Sequence, residues 1–186
     1  LEQNKLEQEK TNQKNISSIK NLNLAYHPMY LGEPNSPKVI YEFVDYNCGY
    51  CQKFHQELIN VMKDNSLKLV IIQMPILGNF SEELTKLALA SSLQGQFKAV
   101  HNYLYSNERK SKIEDILADL FLRGVDLDIL KNDLDSQEVS DFLSIHRSYA
   151  DEFKFTGTPA TIIGNQIIPG FIDADKITEI LEKEFS

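Results

Sequence analysis

The hydrophobic pattern predicts a strand–helix–strand unit over residues 38–74. Residues 38–44 and 67–74 are short, almost continuous apolar runs, which are typical of strands buried on both faces of a parallel sheet. Between them Phe54, Leu58 and Val61 recur at the three- and four-residue spacing of one buried helix face. Together the three segments predict a βαβ unit, whose crossover is almost always right-handed.

A long helical block follows this unit. From residue 81 to about residue 153 the apolar positions keep a helical spacing. Arg123-Gly124 predicts the end of one helix, and Asp126 and Ser136 are residue types that begin helices. We therefore interpret residues 81–154 as an inserted helical subdomain.

The C-terminal segment returns to strand-like alternation. Residues 160–163 and 166–168 flank Gly164-Asn165, a two-residue pair that is typical of a β-hairpin turn. Asp173 is placed to cap a final helix. The segment therefore predicts two strands followed by a helix.

The start of the chain is less regular. Residues 1–20 are rich in Glu, Gln, Lys and Asn, and their apolar residues are too sparse for a sustained heptad seam. This arm is expected to be either disordered or a helix that orders against partner subunits. Repeated prolines make residues 21–37 a connector, and residues 22–26 are predicted to form a short edge strand.

Composition and charge limit the classes of partner. Hydrophobic residues are 42% of the chain and charged residues 25%, which are ordinary values for a soluble globular protein. A net charge of −8 argues against nucleic acid or an anionic membrane as the main partner, because both require a basic surface. The chain starts at Leu1 rather than Met, which would fit an exported protein that has lost a signal peptide.

The two cysteines, Cys48 and Cys51, are separated by two residues at the start of the first predicted helix. Unpaired N–H groups and the positive end of the helix dipole favour thiolate over thiol there. A Cys-x-x-Cys helix start can lower a cysteine pKa from about 8.5 to roughly 3.5–7.5. We predict that Cys48 is the exposed nucleophile and Cys51 the more buried resolving thiol.

Other uses of this motif remain open. A structural zinc site needs four ligands, but the chain has no other cysteine. A static disulfide across so short a ring would constrain the unfolded chain little. Cys48, Cys51 and His55 are alternative ligands for a soft metal such as Cu(I), and no cofactor is otherwise expected. The four histidines are expected to be structural or solvent-facing: His27, His55, His101 and His146.

With these motifs placed, the chain resembles the DsbA family of thioredoxin-fold thiol–disulfide oxidoreductases. The resemblance rests on residues 42–51 (EFVDYNCGYC), 75–78 (PILG) and 155–159 (FTGTP). It implies an α/β thioredoxin fold, with a βαβ half at residues 38–80 and a ββα half at residues 155–186. The chain is most similar to DsbA-like and ScsC-like proteins with a CGYC site, some of which form trimers and carry N-terminal helical arms.

The resemblance also implies roles for individual residues. Cys48 matches the family's nucleophile and Cys51 its resolving cysteine. Pro159 matches the family's cis-proline, whose loop faces the active-site sulfurs and pairs with substrate backbone. The expected substrate-binding residues are Gly49, Tyr50, Thr158 and Pro159.

Glu42 matches the family's buried acid, which helps to move protons during thiol exchange. The alternative is a carboxylate at a strand edge facing water. A lysine of the neighbouring strand often pairs with this acid in the family. Here the central run of that strand, residues 70–74, offers only Gln73, so the sequence departs from the family at this point.

The function implied by the resemblance is exchange of disulfides in unfolded or misdisulfided exported proteins, in the periplasm or another exported bacterial compartment. A membrane redox partner is implied as well. The N-terminal arm favours a disulfide isomerase in a homotrimer over a dithiol oxidase. Because Gly49 and Tyr50 replace the Pro and His of oxidising members, we predict a redox potential nearer the isomerase range than the strong-oxidase value of about −120 mV.

Overall fold

The computed structural model describes residues 2–22, 28–64 and 66–186. None of the helices in these ranges is long and apolar enough to cross a membrane. The elements are, in chain order, α1 (Glu2–Lys20), β1 (Tyr30–Gly32), β2 (Val39–Val44), α2 (Gly49–Asp64), β3 (Lys68–Gln73), α3 (Asn79–Leu93), α4 (Phe97–Leu104), α5 (Ile113–Leu122), α6 (Leu127–Asp133), α7 (Gln137–Glu152), β4 (Ala160–Ile163), β5 (Gln166–Pro169) and α8 (Ala174–Phe185).

The strands form one mixed sheet in the order β1-β3-β2-β4-β5. β2 and β3 are parallel and are joined through α2, whereas β4 and β5 pair antiparallel as a hairpin. β2 also pairs antiparallel with β4, which places the hairpin beside the strand that leads into the cysteines. The α/β fold predicted from the sequence, with a βαβ unit, inserted helices and a ββα segment, is confirmed.

Both faces of the sheet are covered, which explains the continuous apolar runs in its central strands. Ile40 and Val44 of β2 lie in the larger core cluster, with α2, α8 and the inserted helices. Tyr41 and Phe43 point to the other face, where the end of α1 packs beside residues of α7. Glu42 alternates with Tyr41 and Phe43 and therefore lies on the α2 side of the sheet.

Side-chain caps begin three of the helices where the sequence predicts them. The Asp126 carboxylate accepts hydrogen bonds from two backbone N–H groups of α6, and the Ser136 hydroxyl accepts one from Val139 at the start of α7. Asp173 likewise accepts from the backbone of Lys176 in α8. These caps satisfy N–H groups that have no partner within a helix.

The N-terminal arm is a helix, so the disordered alternative is wrong. Ile16 and Ile19 at its C-terminal end are buried, and the Asn15 side chain donates to the backbone oxygen of Glu152 at 2.6 Å. Residues 2–11 are exposed. The edge strand predicted at residues 22–26 falls largely on residues outside the described ranges, while β1, which pairs with β3, was not predicted.

Candidate active site

The two cysteines lie at the N-terminus of α2, beyond the C-terminal end of β2. Cys48 immediately precedes the helix and is partly exposed, whereas Cys51, in its first turn, is fully buried. Both are free thiols. The backbone N–H of Cys51 donates to Cys48 Sγ at 3.4 Å, so an otherwise unpaired helix N–H is directed at the outer sulfur. The predicted difference in exposure between the two thiols is confirmed.

The loop before β4 lies against the outer sulfur. The Thr158–Pro159 peptide bond is cis, as predicted. The Cys48 thiol donates to the backbone oxygen of Thr158 at 3.5 Å. The structure therefore brings together Cys48 and the Thr158–Pro159 loop, which are separated by the whole helical insertion in the sequence.

Burial makes Cys51 a poor acid. Its pKa is raised well above the ordinary range, mainly because the thiolate would be desolvated. Hydrogen bonds from the Asp45 backbone and the Thr158 side chain act in the opposite direction, and the charges of Cys48 and Glu42 raise the pKa further. Any reaction in which Cys51 attacks a disulfide therefore needs a nearby proton acceptor.

Glu42 is fully buried in the centre of the sheet, so the alternative of a water-facing carboxylate is wrong. Its Oε2 lies 3.1 Å from Nδ1 of His55, and its Oε1 has no hydrogen-bond partner within the described part of the chain. Its neighbour across β3 is Ile71, so no lysine faces it there. The partner of this acid comes from α2 instead.

His55 continues into a buried polar cluster that sequence reasoning missed. Its Nε2 lies 3.3 Å from Nε2 of His101, whose Nδ1 lies 2.8 Å from the hydroxyl of Tyr46. Burial, and secondarily the proximity of His55, holds the pKa of His101 well below its ordinary value. The ring of Tyr105 stacks on His55 with centroids 4.9 Å apart. The sequence signal for this cluster was His101, a polar residue within the apolar face of α4.

His146 is the remaining histidine in the described part of the chain, and it contacts the backbone of β3. Nδ1 of His146 accepts a hydrogen bond from the backbone N–H of Gln73 at 2.9 Å, so this side chain anchors β3. His27 lies outside the described residues.

Asp45 holds the loops around the cysteines together, and sequence reasoning did not single it out. Its fully buried carboxylate accepts a hydrogen bond from Asn47 N–H at 2.8 Å. Its other oxygen accepts from the backbone N–H groups of Ile76 and Leu77, at 2.8 and 3.0 Å. One carboxylate thus connects the loop before Cys48 to the loop after β3. A polar residue closing a buried strand was the only sequence signal.

Apolar side chains are exposed on the elements that carry the site. Tyr50, between the cysteines, is 64% exposed, and Ile76 and Leu77 are also exposed in the loop that Asp45 holds. Phe171 is exposed too, and its ring lies 6.1 Å from that of Phe54 in α2. Exposed apolar residues on such elements are suited to contact with unfolded chains.

The geometry does not favour a metal site that includes His55. Its Nδ1 faces Glu42 and its Nε2 faces His101, so both ring nitrogens already have partners. Across residues 2–22, 28–64 and 66–186, no three His, Cys, Asp or Glu side chains are grouped so that they could hold a metal ion. Binding of Cu(I) by the two thiols alone stays a prediction.

Comparison with known proteins agrees with this geometry. A family model described as Thioredoxin matches residues 25–183. A probable disulfide bond formation protein D of Bacillus cereus is 25% identical over 169 residues, which cover 83% of this chain and 77% of that protein.

Two solved structures are similar in fold. A thioredoxin-like oxidoreductase from Silicibacter pomeroyi matches with a TM-score of 0.77 at 28% identity, over 83% of this chain and 90% of that one. The thiol–disulfide exchange protein alpha-DsbA2 of Wolbachia pipientis matches with a TM-score of 0.83 at 24% identity, over 95% and 97% of the two chains. The chain belongs to the thioredoxin family and is a thiol–disulfide oxidoreductase similar to the DsbA-like proteins.

Proposed function

We propose that this protein rearranges disulfides in exported proteins, with Cys48 as nucleophile and Cys51 as resolving thiol. One observation carries the proposal. The partly exposed sulfur of Cys48 lies between the N-terminus of α2 and the Thr158 carbonyl, while Cys51 is buried behind it. Only the outer sulfur is positioned to meet a protein substrate.

The reaction begins when the Cys48 thiolate attacks one sulfur of a substrate disulfide. The substrate S–S bond breaks, a mixed disulfide with Cys48 forms, and the displaced substrate sulfur takes up a proton from solvent. A different substrate thiolate then attacks the mixed disulfide, which releases Cys48 and leaves a new substrate pairing. This sequence transfers no net electrons, and it is isomerisation.

Cys51 resolves the mixed disulfide when no second substrate thiolate attacks it. After losing its proton it attacks Cys48 Sγ, which forms the Cys48–Cys51 disulfide and releases the substrate with two more electrons. The reverse sequence oxidises a substrate dithiol. We assign Glu42 as the acceptor of the Cys51 proton, because Glu42 is buried close enough for its charge to act on that thiol.

Substrate binding is assigned to the surface around Cys48. The Thr158–Pro159 loop, Gly49 and Tyr50 adjoin the outer sulfur, and the exposed apolar side chains on neighbouring loops extend this surface. Such a surface binds unfolded segments without selecting one sequence, which suits a protein that handles many substrates.

The N-terminal arm supports the isomerase direction. Residues 2–11 are helical but exposed, and an isolated polar helix of this length is marginal in water. Packing of several arms, as in a homotrimer, would stabilise them and would place several Cys48 thiols around one substrate. This arrangement favours an isomerase over a solitary oxidase.

The compartment and the redox partner follow from the chemistry. Protein disulfides persist in oxidising compartments, so we assign the protein to the periplasm or another exported bacterial compartment. There an isomerase needs a reductant that keeps Cys48 free, which we assign to a membrane redox partner. The net charge of −8 opposes a nucleic-acid partner.

The test is the redox equilibrium of the Cys48/Cys51 pair against glutathione, combined with reactivation of a disulfide-scrambled substrate. We expect a reversible two-electron transition between roughly −120 and −230 mV, in the lower part of that window, together with reactivation of the scrambled substrate. A potential near about −120 mV without reactivation would favour the oxidase. A pair that stays oxidised below about −300 mV would be a structural disulfide and would end the proposal.

A further inference from the structure

A continuous chain of buried polar groups leads from α3 to the acid beside Cys51. Each consecutive pair lies within hydrogen-bond distance, and every member is fully buried except Tyr46, which is 2% exposed, and His55, also 2% exposed. In order the members are Thr85, Gln73, Tyr46, His101, His55 and Glu42, with separations of 3.4, 3.1, 2.8, 3.3 and 3.1 Å.

The hydrogen bonds from Thr85 to Tyr46 fix the direction in which hydrogens are donated along this series. The Thr85 hydroxyl donates to the Gln73 side-chain oxygen, and the Gln73 amide nitrogen donates to the Tyr46 oxygen. The Tyr46 hydrogen is then free for His101 Nδ1. If His101 donated in the opposite direction, the Tyr46 hydrogen would be buried without an acceptor, which is costly.

The direction continues through the two histidines. Because neutral His101 accepts at Nδ1, its hydrogen is on Nε2 and points to Nε2 of His55. His55 in turn must accept at Nε2 and carry its hydrogen on Nδ1, which donates to Glu42 Oε2. All donors in this series therefore point the same way, and the last hydrogen bond is accepted by the Glu42 carboxylate.

We propose that Tyr46 and His101 are positioning residues, which orient His55 so that its Nδ1–H donates to Glu42 Oε2 and leaves Oε1 to take the Cys51 proton. Oε1 is the Glu42 oxygen that has no partner within the described part of the chain. This inference rests on the proposed role of Glu42 as the proton acceptor. A proton on Oε2 would require the hydrogen bonds between Glu42 and Tyr46 to reverse direction. The Gln73 amide opposes this reversal, because it already donates to the Tyr46 oxygen.

The titratable groups around Glu42 come from several elements. Cys51 and His55 lie on α2, and Asp45 and Tyr46 follow β2. From α4 and its end come His101 and Tyr105, and Lys98 lines a cavity of about 440 Å³ beyond His55. The strand neighbours of Glu42, Ile71 and Thr161, carry no ionisable group. Only His55 donates a hydrogen bond to the carboxylate among the described residues.

The first test is nitrogen NMR of the full-length reduced protein with isotope-labelled histidines. It reports which ring nitrogen carries the hydrogen. We expect the hydrogen on Nδ1 of His55 and on Nε2 of His101. The opposite tautomer at either ring would overturn the inference, whatever the activity of the protein.

The second test measures how fast Cys51 resolves a mixed disulfide between Cys48 and glutathione as a function of pH. In Tyr46→Phe, His101 loses the donor that fixes its tautomer, so the Nδ1–H of His55 is no longer held on Glu42 Oε2 and the carboxylate is less well placed to take the Cys51 proton. We expect resolution about tenfold slower at neutral pH, with the difference from the wild type decreasing at alkaline pH, where hydroxide replaces Glu42 as the proton acceptor. Alkylation of Cys48 in the reduced variant should proceed at the normal rate.

Two further variants separate the possible failures. Tyr103→Phe removes a hydroxyl of α4 that pairs with Asp119 outside the chain of donors, and it should leave the profile unchanged. Glu42→Gln should slow resolution at neutral pH, because an amide is a far weaker base than a carboxylate. If Glu42→Gln slows resolution and Tyr46→Phe does not, the positioning role is wrong and the role of Glu42 stands. If Glu42→Gln has no effect, the role of Glu42 in the proposed function is wrong as well.

Discussion

Oε2 of Glu42 lies 3.1 Å from Nδ1 of His55, and both side chains are buried between α2 and the sheet. The position across the sheet, where a lysine would pair with the acid, is occupied by Ile71. The partner of the acid is therefore on the same helix as Cys51, one turn further along. Since one helix positions both the thiol and the partner of the acid, a displacement of α2 changes both together.

This pairing predicts a large loss of stability when His55 is removed. His55→Leu leaves the Glu42 carboxylate buried without a hydrogen-bond partner in the described chain, and we expect the free energy of unfolding to fall by about 2–4 kcal/mol. Urea unfolding of the reduced protein measures the change. The conservative Glu42→Gln should cost less, because an amide requires less solvation than a carboxylate.

The double variant Glu42→Leu/His55→Leu tests the same pair independently. It removes the buried charge together with its partner, so it should be more stable than His55→Leu alone. If the loss in the double variant equalled the sum of the losses in Glu42→Leu and His55→Leu, the two side chains would not interact.

The different burial of the two sulfurs predicts selective alkylation. Cys48 is partly exposed and Cys51 is fully buried, so native reduced protein should take up one equivalent of iodoacetamide and denatured protein two. Mass spectrometry of the intact and digested protein gives the number and the position. Cys48→Ser should be nearly inert until it is unfolded, and rapid labelling of Cys51 in that variant would contradict the geometry.

The raised pKa of Cys51 predicts that the reduced protein becomes less stable at alkaline pH. Above the unfolded pKa of about 8.5, the unfolded state loses the Cys51 proton while the folded state keeps it. The contribution of protonated Cys51 to the free energy of unfolding is thus fully present below that pH. Above it the free energy of unfolding decreases by up to about 1.4 kcal/mol per pH unit. Denaturant unfolding between about pH 7.5 and 9.5 measures the slope. Cys51→Ala should have a shallower slope, and equal slopes would contradict this reading.

Replacement of Asp45 is expected to lower the free energy of unfolding, by an amount that depends on how many acceptor oxygens remain. Asp45→Ala leaves three backbone N–H groups, of Asn47, Ile76 and Leu77, without their acceptor, and we expect a loss of about 2–4 kcal/mol in the free energy of unfolding. Asp45→Asn keeps one acceptor oxygen and should lose less. Thermal and urea unfolding of both variants test this order, and equal losses would show that the hydrogen bonds contribute little.

The sequence was sufficient for the fold because the signals for its elements are local. The βαβ unit, the caps at Asp126 and Ser136 and the hairpin around Gly164 are each specified by residues adjacent in the chain. β1 was missed because three residues carry no periodicity of their own. It exists as a strand because Tyr30 and Leu31 pair with β3.

The candidate site was only partly predictable for the same reason. The spacing of Cys48 and Cys51 is local, and family resemblance supplied Pro159. The contact between His55 and His101 joins two helices that are far apart in the sequence, so no local pattern encodes it. Only the packing of α4 against α2 brings the two rings together.

If the exposed start of α1 mediates the proposed homotrimer, assembly and thiol chemistry can be separated by a truncation. Residues 2–11 are exposed, whereas Ile16 and Ile19 belong to the core, so a truncation should remove residues 1–11 and keep the rest of the helix. We expect a smaller particle by light scattering, unchanged oxidation of a small dithiol, and reactivation of scrambled substrate reduced several-fold, because cooperating thiols are lost. As a control, Leu6→Ala preserves helix length and removes one exposed apolar contact, so it should weaken assembly less. Unchanged particle mass after truncation would remove the basis for assigning isomerisation rather than oxidation to this protein.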